Sequence, residues 1–68
     1  MADPIFKKIQ LVGTSPNSFS EAVANAIAKA TETLRNISWF EVVEQRGSVV
    51  DGKIHQYQVT VAIGFRVE

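Results

Sequence analysis

The dipeptide Asp51-Gly52 constrains the fold of this chain more than any other feature. It separates two long strand-like segments, Ser38 to Val50 and Lys53 to Val67. A two-residue type I′ turn needs positive φ at both central positions, and Asp-Gly is a strong signal for it. The sequence therefore predicts a β-hairpin of two long antiparallel strands.

The first half of the chain supplies one more strand and one helix. Ile5 to Val12 is typical of a strand, and Gly13 to Asn17 is a cluster of turn-forming residues. Ser18 and Glu21 form an S-x-x-E capping box, which predicts that a helix starts at the next residue after the serine. Apolar residues then recur at three- and four-residue steps, so we expect a helix that ends near Arg35-Asn36. The order is β-α-β-β, an α+β fold in which a three-stranded antiparallel sheet packs on one helix. The apolar stripe consists of Phe19, Val23, Ala26, Ile27, Ala30, Leu34 and Ile37.

A one-for-one register that starts at the turn sorts the hairpin side chains into two faces. It places Trp39 opposite Gly64 and Gln45 opposite Gln58. The face that lacks Trp39 is apolar near the open end of the hairpin, so we expect it to lie under the helix. On the first strand of the hairpin, the face with Trp39 also carries Glu41, Val43, Gln45 and Gly47, and the other face carries Phe40, Val42, Glu44 and Arg46.

The length of the hairpin is a problem for a single copy of this chain. Its second strand has about 15 residues, which is roughly 50 Å at 3.3 Å per residue. A helix of about 17 residues is roughly 26 Å long at 1.5 Å per residue, so it cannot cover such a hairpin. The chain has only 68 residues and no cysteine, so no disulfide supports its small core. We therefore expect a homo-oligomer.

Charge and composition exclude several classes of partner. Seven basic and seven acidic residues balance, whereas a nucleic-acid-binding protein usually has a basic surplus. The longest apolar run is only a few residues, and a membrane-spanning helix needs roughly 20. One histidine, His55, and no cysteine argue against a conventional zinc site. Because residues 1–4 lack a signal-peptide pattern, we expect a soluble, cytoplasmic protein that binds neither nucleic acid nor membrane.

The face that carries Trp39 has the residues best suited to bind a ligand. An indole can stack on a flat ligand, but it can also cover a strand glycine or a subunit contact. Glutamine carboxamides donate and accept hydrogen bonds, as recognition of a heterocycle requires, although they are also typical of a solvated strand face. Arg46 and Arg66 are candidates to hold a phosphate by bidentate contacts. The glutamines of the predicted face are Gln45, Gln56 and Gln58.

No group of residues predicts catalysis. His55 lies beside the hairpin turn without an acid or nucleophile partner, so we interpret it as an exposed strand residue. Glu41 and Glu44 fall on opposite faces in the one-for-one register, so they are not a pair of catalytic carboxylates. The glycines form no phosphate-binding motif. We therefore expect a binding protein rather than an enzyme.

Taken in order, the short motifs of this chain resemble those of the dodecins, a family of small flavin-sequestering proteins. The resemblance covers nearly all of the chain, which would then be a single dodecin-like domain over residues 1–68. Each motif is weak alone, and their order and spacing make the resemblance specific. The segments are Lys7-Lys8, Leu11-Val12-Gly13-Thr14-Ser15, Ser18 with the alanine-rich helix, Ile37-Ser38-Trp39-Phe40-Glu41-Val42, Arg46-Gly47, Tyr57-Gln58-Val59 and Gly64-Phe65-Arg66.

The resemblance implies a hollow homo-dodecamer that binds flavins in pairs where subunits meet on two-fold axes. The family tryptophan that matches Trp39 stacks on the isoalloxazine ring, and the glutamine that matches Gln58 hydrogen-bonds the pyrimidine edge of that ring. In bacterial members an arginine that matches Arg46 lies near the flavin phosphate, and one that matches Arg66 lies near a coenzyme A site at a three-fold axis. The implied function is storage of FMN, riboflavin or FAD without turnover, with electron transfer from the indole quenching the excited flavin.

The one-for-one register of the hairpin places Trp39 and Gln58 far apart, which limits how they can bind one flavin. Gln58 faces a residue that lies six positions from Trp39, roughly 20 Å along a strand at 3.3 Å per residue. One flavin ring cannot reach both side chains in one chain unless a bulge shortens the path. We therefore predict that the Trp39 and Gln58 of one pocket come from different chains, and that Gly47 or Gly64 marks any bulge.

Two other functions are compatible with parts of the sequence. A small oligomeric interaction module would use an exposed sheet edge, and Trp39 would then anchor an interface without a cofactor. A tautomerase-like enzyme also builds sheets from short chains, but its chemistry uses an N-terminal proline exposed by loss of Met1. Here Ala2 follows Met1 and the first proline is Pro4, so the tautomerase alternative is disfavoured.

Overall fold

The computed structural model describes residues 3–68 as one three-stranded antiparallel sheet packed against one helix. In chain order the elements are β1 (Phe6–Ser15), α1 (Phe19–Thr31), β2 (Ile37–Val50) and β3 (Lys53–Arg66). β3 lies in the middle of the sheet, with β1 and β2 antiparallel to it on either side. The β-α-β-β fold predicted from the sequence is therefore confirmed.

The hairpin turn has the predicted geometry. Asp51 and Gly52 adopt φ values of 52° and 73°, and a type I′ turn requires positive φ at both positions. The two strands that flank this turn begin or end within one residue of their predicted bounds.

β1 continues to Ser15 instead of ending at Val12, so the predicted turn at Gly13 starts too early. The reason is packing against the helix. A Cβ at Gly13 would collide with the Ala22 carbonyl oxygen and would lie 2.9 Å from the Ala26 Cβ. Glycine therefore serves here as a strand residue that lets α1 approach the sheet closely.

Only one half of the predicted capping box at the start of α1 forms. The Glu21 backbone N–H donates to the Ser18 hydroxyl oxygen at 3.0 Å. The Glu21 carboxylate binds elsewhere than predicted, because it accepts from the buried Ser15 hydroxyl and from the Asn17 side-chain amide at 2.8 Å. These bonds, with that of Ser15 the larger cause, hold the pKa of the Glu21 carboxyl below its ordinary value.

α1 ends at Thr31, several residues before the predicted end near Arg35-Asn36. The next two N–H groups bond three residues back at 3.1 Å, which tightens the last turn. Asn36 then adopts φ 61°, a left-handed conformation that asparagine tolerates, and the chain turns into β2. Leu34 and Ile37 still pack on the core, although they lie outside the helix.

The core between α1 and the sheet joins small helix residues to β-branched residues of the central strand. Its buried members are Ala22, Ala26, Ala30, Val59, Val61 and Ile63. Larger residues of the predicted stripe, such as Phe19, Val23 and Ile27, pack around this core and stay partly exposed. The predicted helix face is therefore confirmed, with alanines at its centre.

Three extra residues interrupt the one-for-one register of the hairpin. The predicted register holds over 39–42 and 49–50, but it is wrong by one residue over 44–48. The predicted bulge positions, Gly47 and Gly64, are also wrong. Because an extra residue changes which face the following side chains take, the bulge in the middle of β2 matters most for the site. The extra residues are Ser38 and Val43 on β2 and His55 on β3.

The sheet is much longer than the helix that covers it. The chain measures 57 × 20 × 13 Å, whereas the 13 helical residues span only about 20 Å. Large apolar side chains are left exposed, among them Val49 (69%), Ile54 (63%) and Phe40 (52%). A lone chain would present this apolar surface to water, so the geometry supports the expected homo-oligomer. Across residues 3–68, no helix is both long enough and apolar enough to cross a membrane.

Candidate ligand-binding face

The sheet face turned away from α1 carries most of the candidate residues, and we call it the open face. β2 contributes Trp39, Glu41, Glu44, Arg46 and Ser48, whose cross-strand partners on β3 are Gly64, Ala62, Thr60, Gln58 and Gln56. β1 completes the face with Phe6, Lys8, Gln10, Val12 and Thr14. Trp39 and Arg46 therefore share one face, although the one-for-one register places them on opposite faces.

Trp39 lies flat against the backbone of Gly64 at one end of the open face. The two residues are cross-strand partners, and a Cβ added to Gly64 would collide with the indole ring. Phe6 packs beside the indole, with ring centroids 5.0 Å apart and an interplanar angle of 57°. The sheet thus covers one face of the indole, while 38% of Trp39 stays exposed. The other face can stack on a flat ring.

Arg46 organises a chain of hydrogen bonds at the other end of the open face. Its Nε donates to Gln58 Oε1 at 2.9 Å. Its Nη1 donates to Glu44 Oε1 at 2.6 Å and to Thr60 Oγ1 at 3.1 Å. Gln58 Nε2 in turn donates to Gln56 Oε1 at 2.9 Å. We call these five residues the polar network, which brings together two of the predicted site residues, Arg46 and Gln58.

The bulge at Val43 overturns two predicted placements. Gln45 is predicted opposite Gln58, but it pairs with Val59 and lines a groove beside α1. Arg46 is predicted on the helix side, but it takes the position opposite Gln58. An extra residue in β2 is the physical cause, because it turns the side chains that follow it to the other face.

Glu41 and Glu44 lie on the same face, which corrects the prediction that they lie on opposite faces. Each carboxylate nevertheless binds its own cation. Glu41 Oε1 is 2.6 Å from Lys8 Nζ, and Glu44 Oε1 is 2.6 Å from Arg46 Nη1. The two carboxylates therefore take part in separate ion pairs.

One chain keeps Trp39 and Gln58 well separated. The indole covers Gly64, which lies six residues from Gln58 on β3, or roughly 20 Å at 3.3 Å per residue. The bulge at Val43 bends β2 and leaves this path along β3 unchanged. That the two residues of one pocket come from different chains stays a prediction.

The sequence profile of the Dodecin family matches residues 5–68. The chain belongs to the dodecin family. A dodecin of Thermus thermophilus is 44% identical over 64 residues, which are 94% of this chain and 93% of that protein. The dodecin structure of Streptomyces coelicolor has a TM-score of 0.95 and 41% identity, and the match covers 100% of this chain and 97% of that one.

A calcium dodecin of Mycobacterium tuberculosis is a more distant relative. It is 29% identical over 63 residues, which are 93% of this chain and 89% of that protein. Its crystal structure, described as having a novel calcium-binding site, has a TM-score of 0.83. In this dodecin, a single copy of residues 3–68 has no group of three or more histidine, aspartate or glutamate side chains that could hold a metal ion.

The comparisons support the fold and the general class of function. The strand order matches solved dodecins, and the expected dodecameric assembly is consistent with them. Dodecins are small binding proteins rather than enzymes. Structures of Thermus thermophilus dodecin variants, one with a tryptophan replaced by phenylalanine and two with an arginine replaced by alanine, match at 41% identity. The three replaced positions have the same spacing as Trp39, Arg46 and Arg66 here.

Arg66 lies away from the polar network, at the end of β3. It lines a cleft of about 420 Å³ together with Lys7, Arg35 and Glu68. Arg35 Nη1 is 3.9 Å from Glu68 Oε1. Three cations and one carboxylate therefore surround this cleft, and such a surplus of positive charge suits a phosphate group.

Sequence reasoning missed Glu44 and Phe6 as residues of the open face. A signal for Glu44 was present, because residues two apart on a regular strand share a face and Glu44 lies two residues before Arg46. Phe6 had no such signal, since nothing in the sequence sets the register of β1 against β3. His55 is exposed at a bulge near the turn, in agreement with its predicted position.

Proposed function

We propose that this dodecin binds flavins without turnover, in pairs stacked against Trp39 where two subunits meet. The observation that carries the proposal is the Trp39 indole, which is covered by Gly64 on one face and can stack with the other. An indole stacked on an isoalloxazine ring can pass an electron to the excited flavin. Binding would therefore quench flavin fluorescence and prevent light-driven reactions, so the protein would store free flavin and protect the cell from its photochemistry.

The polar network supplies the remaining flavin contacts in this proposal. Gln58 gives one side-chain N–H to Gln56 and has a second one for a carbonyl oxygen of the flavin pyrimidine edge. Gln58 would reach a flavin that is stacked on the Trp39 of another chain. Arg46 would lie near the phosphate of FMN. Riboflavin, FMN and FAD share the ring that these contacts recognise.

The cleft at Arg66 is the proposed site of coenzyme A. Its support is the group of three cations, Lys7, Arg35 and Arg66, around one cleft. Arg66→Ala should weaken coenzyme A binding in a calorimetric titration and leave riboflavin quenching unchanged. Arg46→Ala is the matched control, since it removes an arginine from the open face and should leave coenzyme A binding unchanged.

The flavin proposal is tested by titrating riboflavin and FMN into ligand-free protein while flavin fluorescence is recorded. We expect strong quenching that saturates near one flavin per chain. Trp39→Ala should abolish it. Phe40→Leu, which removes an exposed aromatic ring from the other sheet face but keeps an apolar side chain there, should retain it. Light scattering establishes that each variant is still an oligomer.

The opposite result is equally informative. An intact wild-type oligomer that quenches neither flavin would contradict the proposal. Trp39 would then be a subunit contact, as in the interaction-module alternative. A calcium titration monitored by calorimetry would separately test whether the ligand of the Mycobacterium tuberculosis relative also binds here.

A further inference from the structure

We propose that Glu44 is a built-in counter-ion of Arg46 that weakens the binding of phosphorylated flavins relative to unphosphorylated ones. The inference rests on the proposed flavin site and adds the residue that sets its ligand preference. Glu44 and Arg46 lie two residues apart on β2, so both side chains belong to the open face. Their ion pair has a distance of 2.6 Å between Oε1 and Nη1.

The Arg46 guanidinium is already partly occupied by the chain itself. A phosphate is usually held by two parallel N–H groups, either Nε with Nη2 or Nη1 with Nη2. Nε already donates to Gln58, and Nη1 already donates to Glu44 and Thr60. Each pair therefore contains a nitrogen that is bonded within the open face. A bidentate phosphate must compete with one of these partners, whereas a flavin without phosphate competes with none.

Charge acts in the same direction as geometry. Arg46 and Glu44 together carry no net charge, so the pair attracts an anion only weakly. A phosphate monoester carries about −1.5 to −2 charges at neutral pH, and the Glu44 carboxylate would repel it. The side chains are 41% and 61% exposed, so a ligand can reach them, and exposed ion pairs of this kind are weak enough to rearrange.

Glu41 provides a matched control on the same face. Its carboxylate forms an ion pair of the same length, 2.6 Å, and its side chain is 51% exposed. Its partner is Lys8 rather than Arg46, and its cross-strand neighbour is Ala62. Glu41→Gln therefore removes the same charge from the same face without touching the guanidinium of Arg46.

The test compares the affinities of FMN and riboflavin by quenching titrations of four proteins. These are the wild type, Glu44→Gln, Glu44→Asp and Glu41→Gln. Glu44→Gln should raise the ratio of FMN affinity to riboflavin affinity about tenfold, which corresponds to about 1.4 kcal/mol. Glu41→Gln should leave the ratio at its wild-type value. Glu44→Asp keeps the charge and should also stay near the wild-type ratio.

A second measurement needs no variant. If Glu44 neutralises Arg46, the ratio of FMN to riboflavin affinity of the wild type should change little with salt, because screening acts on net charge. A ratio that falls steeply as salt is added would indicate an uncompensated positive charge and would overturn the proposal. The salt dependence therefore tests whether Glu44 neutralises Arg46 even if the Glu44→Gln variant fails to assemble.

The outcomes separate this inference from the flavin proposal. An unchanged or lower ratio in Glu44→Gln, with both flavins bound and the oligomer intact, overturns the counter-ion role and leaves the flavin site standing. A tenfold rise in Glu41→Gln as well overturns it too, because any lost carboxylate would then suffice. If none of the four proteins quenches either flavin, the proposed function fails and this inference fails with it.

Discussion

The two ends of the open face are built on different principles. At one end the Trp39 ring fits the surface of a residue that has no side chain, Gly64. At the other end Arg46 is held by hydrogen bonds and an ion pair, each of which another polar group could replace. The aromatic end therefore depends on shape and tolerates little change, whereas the polar end can exchange partners. A binding face that combines the two can hold a ring firmly and still vary in the charged group that it accepts.

The largest loss of riboflavin affinity is expected from a substitution at the aromatic end that displaces Trp39. In Gly64→Val a Cβ would collide with the indole, so Trp39 must leave its place on the sheet. We expect riboflavin affinity to fall at least about a hundredfold, or about 2.8 kcal/mol, in a quenching titration. The control is Gly52→Ala. A Cβ at Gly52 meets nothing within 4 Å, but its φ of 73° strains any other residue.

Gly52→Ala should therefore cost roughly 1 kcal/mol of folding stability without changing riboflavin affinity. Equal losses of affinity in the two variants would mean that affinity follows stability. Full affinity in Gly64→Val would show that the indole does not need the bare backbone beneath it, and the shape-based account of this end would be wrong.

The second largest effect is expected when one residue is deleted from β2, the strand that carries Arg46 of the polar end. Removing a residue from a regular strand moves all the following side chains to the other face. Val43 is an extra residue, so its deletion should leave Arg46 opposite Gln58. Deleting Gln45 should instead turn either Glu44 or Arg46 to the helix side, out of the polar network. The loss of its ion pair and hydrogen bonds should cost about 1 kcal/mol or more.

Thermal unfolding of the two deletion variants decides this prediction. We expect the variant without Val43 to unfold at a clearly higher temperature than the variant without Gln45. Similar unfolding temperatures would contradict the assignment of Val43 as the residue that can be removed without changing the faces.

The same bulges explain how much of the site could be predicted from the sequence. Features with a local signal, such as the Asp51-Gly52 turn, were predicted correctly. The pairing of Trp39 with Gly64 was also correct, but only because two extra residues, His55 on β3 and Val43 on β2, cancel between the turn and Trp39. Between these bulges every pairing was wrong by one residue.

Other errors have a tertiary cause. β1 extends beyond Val12 because Gly13 packs against α1, and this contact leaves no trace in the hydrophobic periodicity. The early end of α1 is instead local, since the two N–H groups after Thr31 bond three residues back and the left-handed Asn36 then turns the chain into β2. The polar network could not be predicted either. It combines two residues of β2 with three of β3, and only the observed register, with its bulges, places them on the same face.

A smaller effect is expected from Phe6, which supports the indole from β1. The pair has a centroid distance of 5.0 Å, and aromatic pairs of this kind contribute about 0.5–1.5 kcal/mol. Phe6→Ala should therefore lower riboflavin affinity by roughly two- to tenfold, because Trp39 becomes free to tilt. Val12→Ala on the same strand and face, next to Thr60, should not. Equal losses would point to β1 as a whole rather than to the Phe6–Trp39 contact.

The smallest expected effect lies on the helix side of the polar end, where Ser15 binds the Glu21 carboxylate. Because the pKa of folded Glu21 is lowered, its bonds stabilise the fold above the pKa of the unfolded chain. This contribution is lost as the pH falls through the lower, folded pKa. Ser15→Ala removes the main cause and should raise the Glu21 pKa toward its ordinary value in an NMR titration.

Ser20→Ala is the control, since the Ser20 hydroxyl lies 3.3 Å from that of Ser18 and outside the contacts of the Glu21 carboxylate. It should leave the Glu21 titration unchanged, and a rise of equal size would assign the shift to the helix end rather than to Ser15. Both variants should keep the wild-type ratio of FMN to riboflavin affinity, because the cap lies on the other side of the sheet from Arg46. A changed ratio in Ser15→Ala alone would mean that the polar end depends on how α1 is anchored. The two ends would then differ in a further way, because the aromatic end depends on one residue, Gly64, and the polar end depends on contacts on both sides of the sheet.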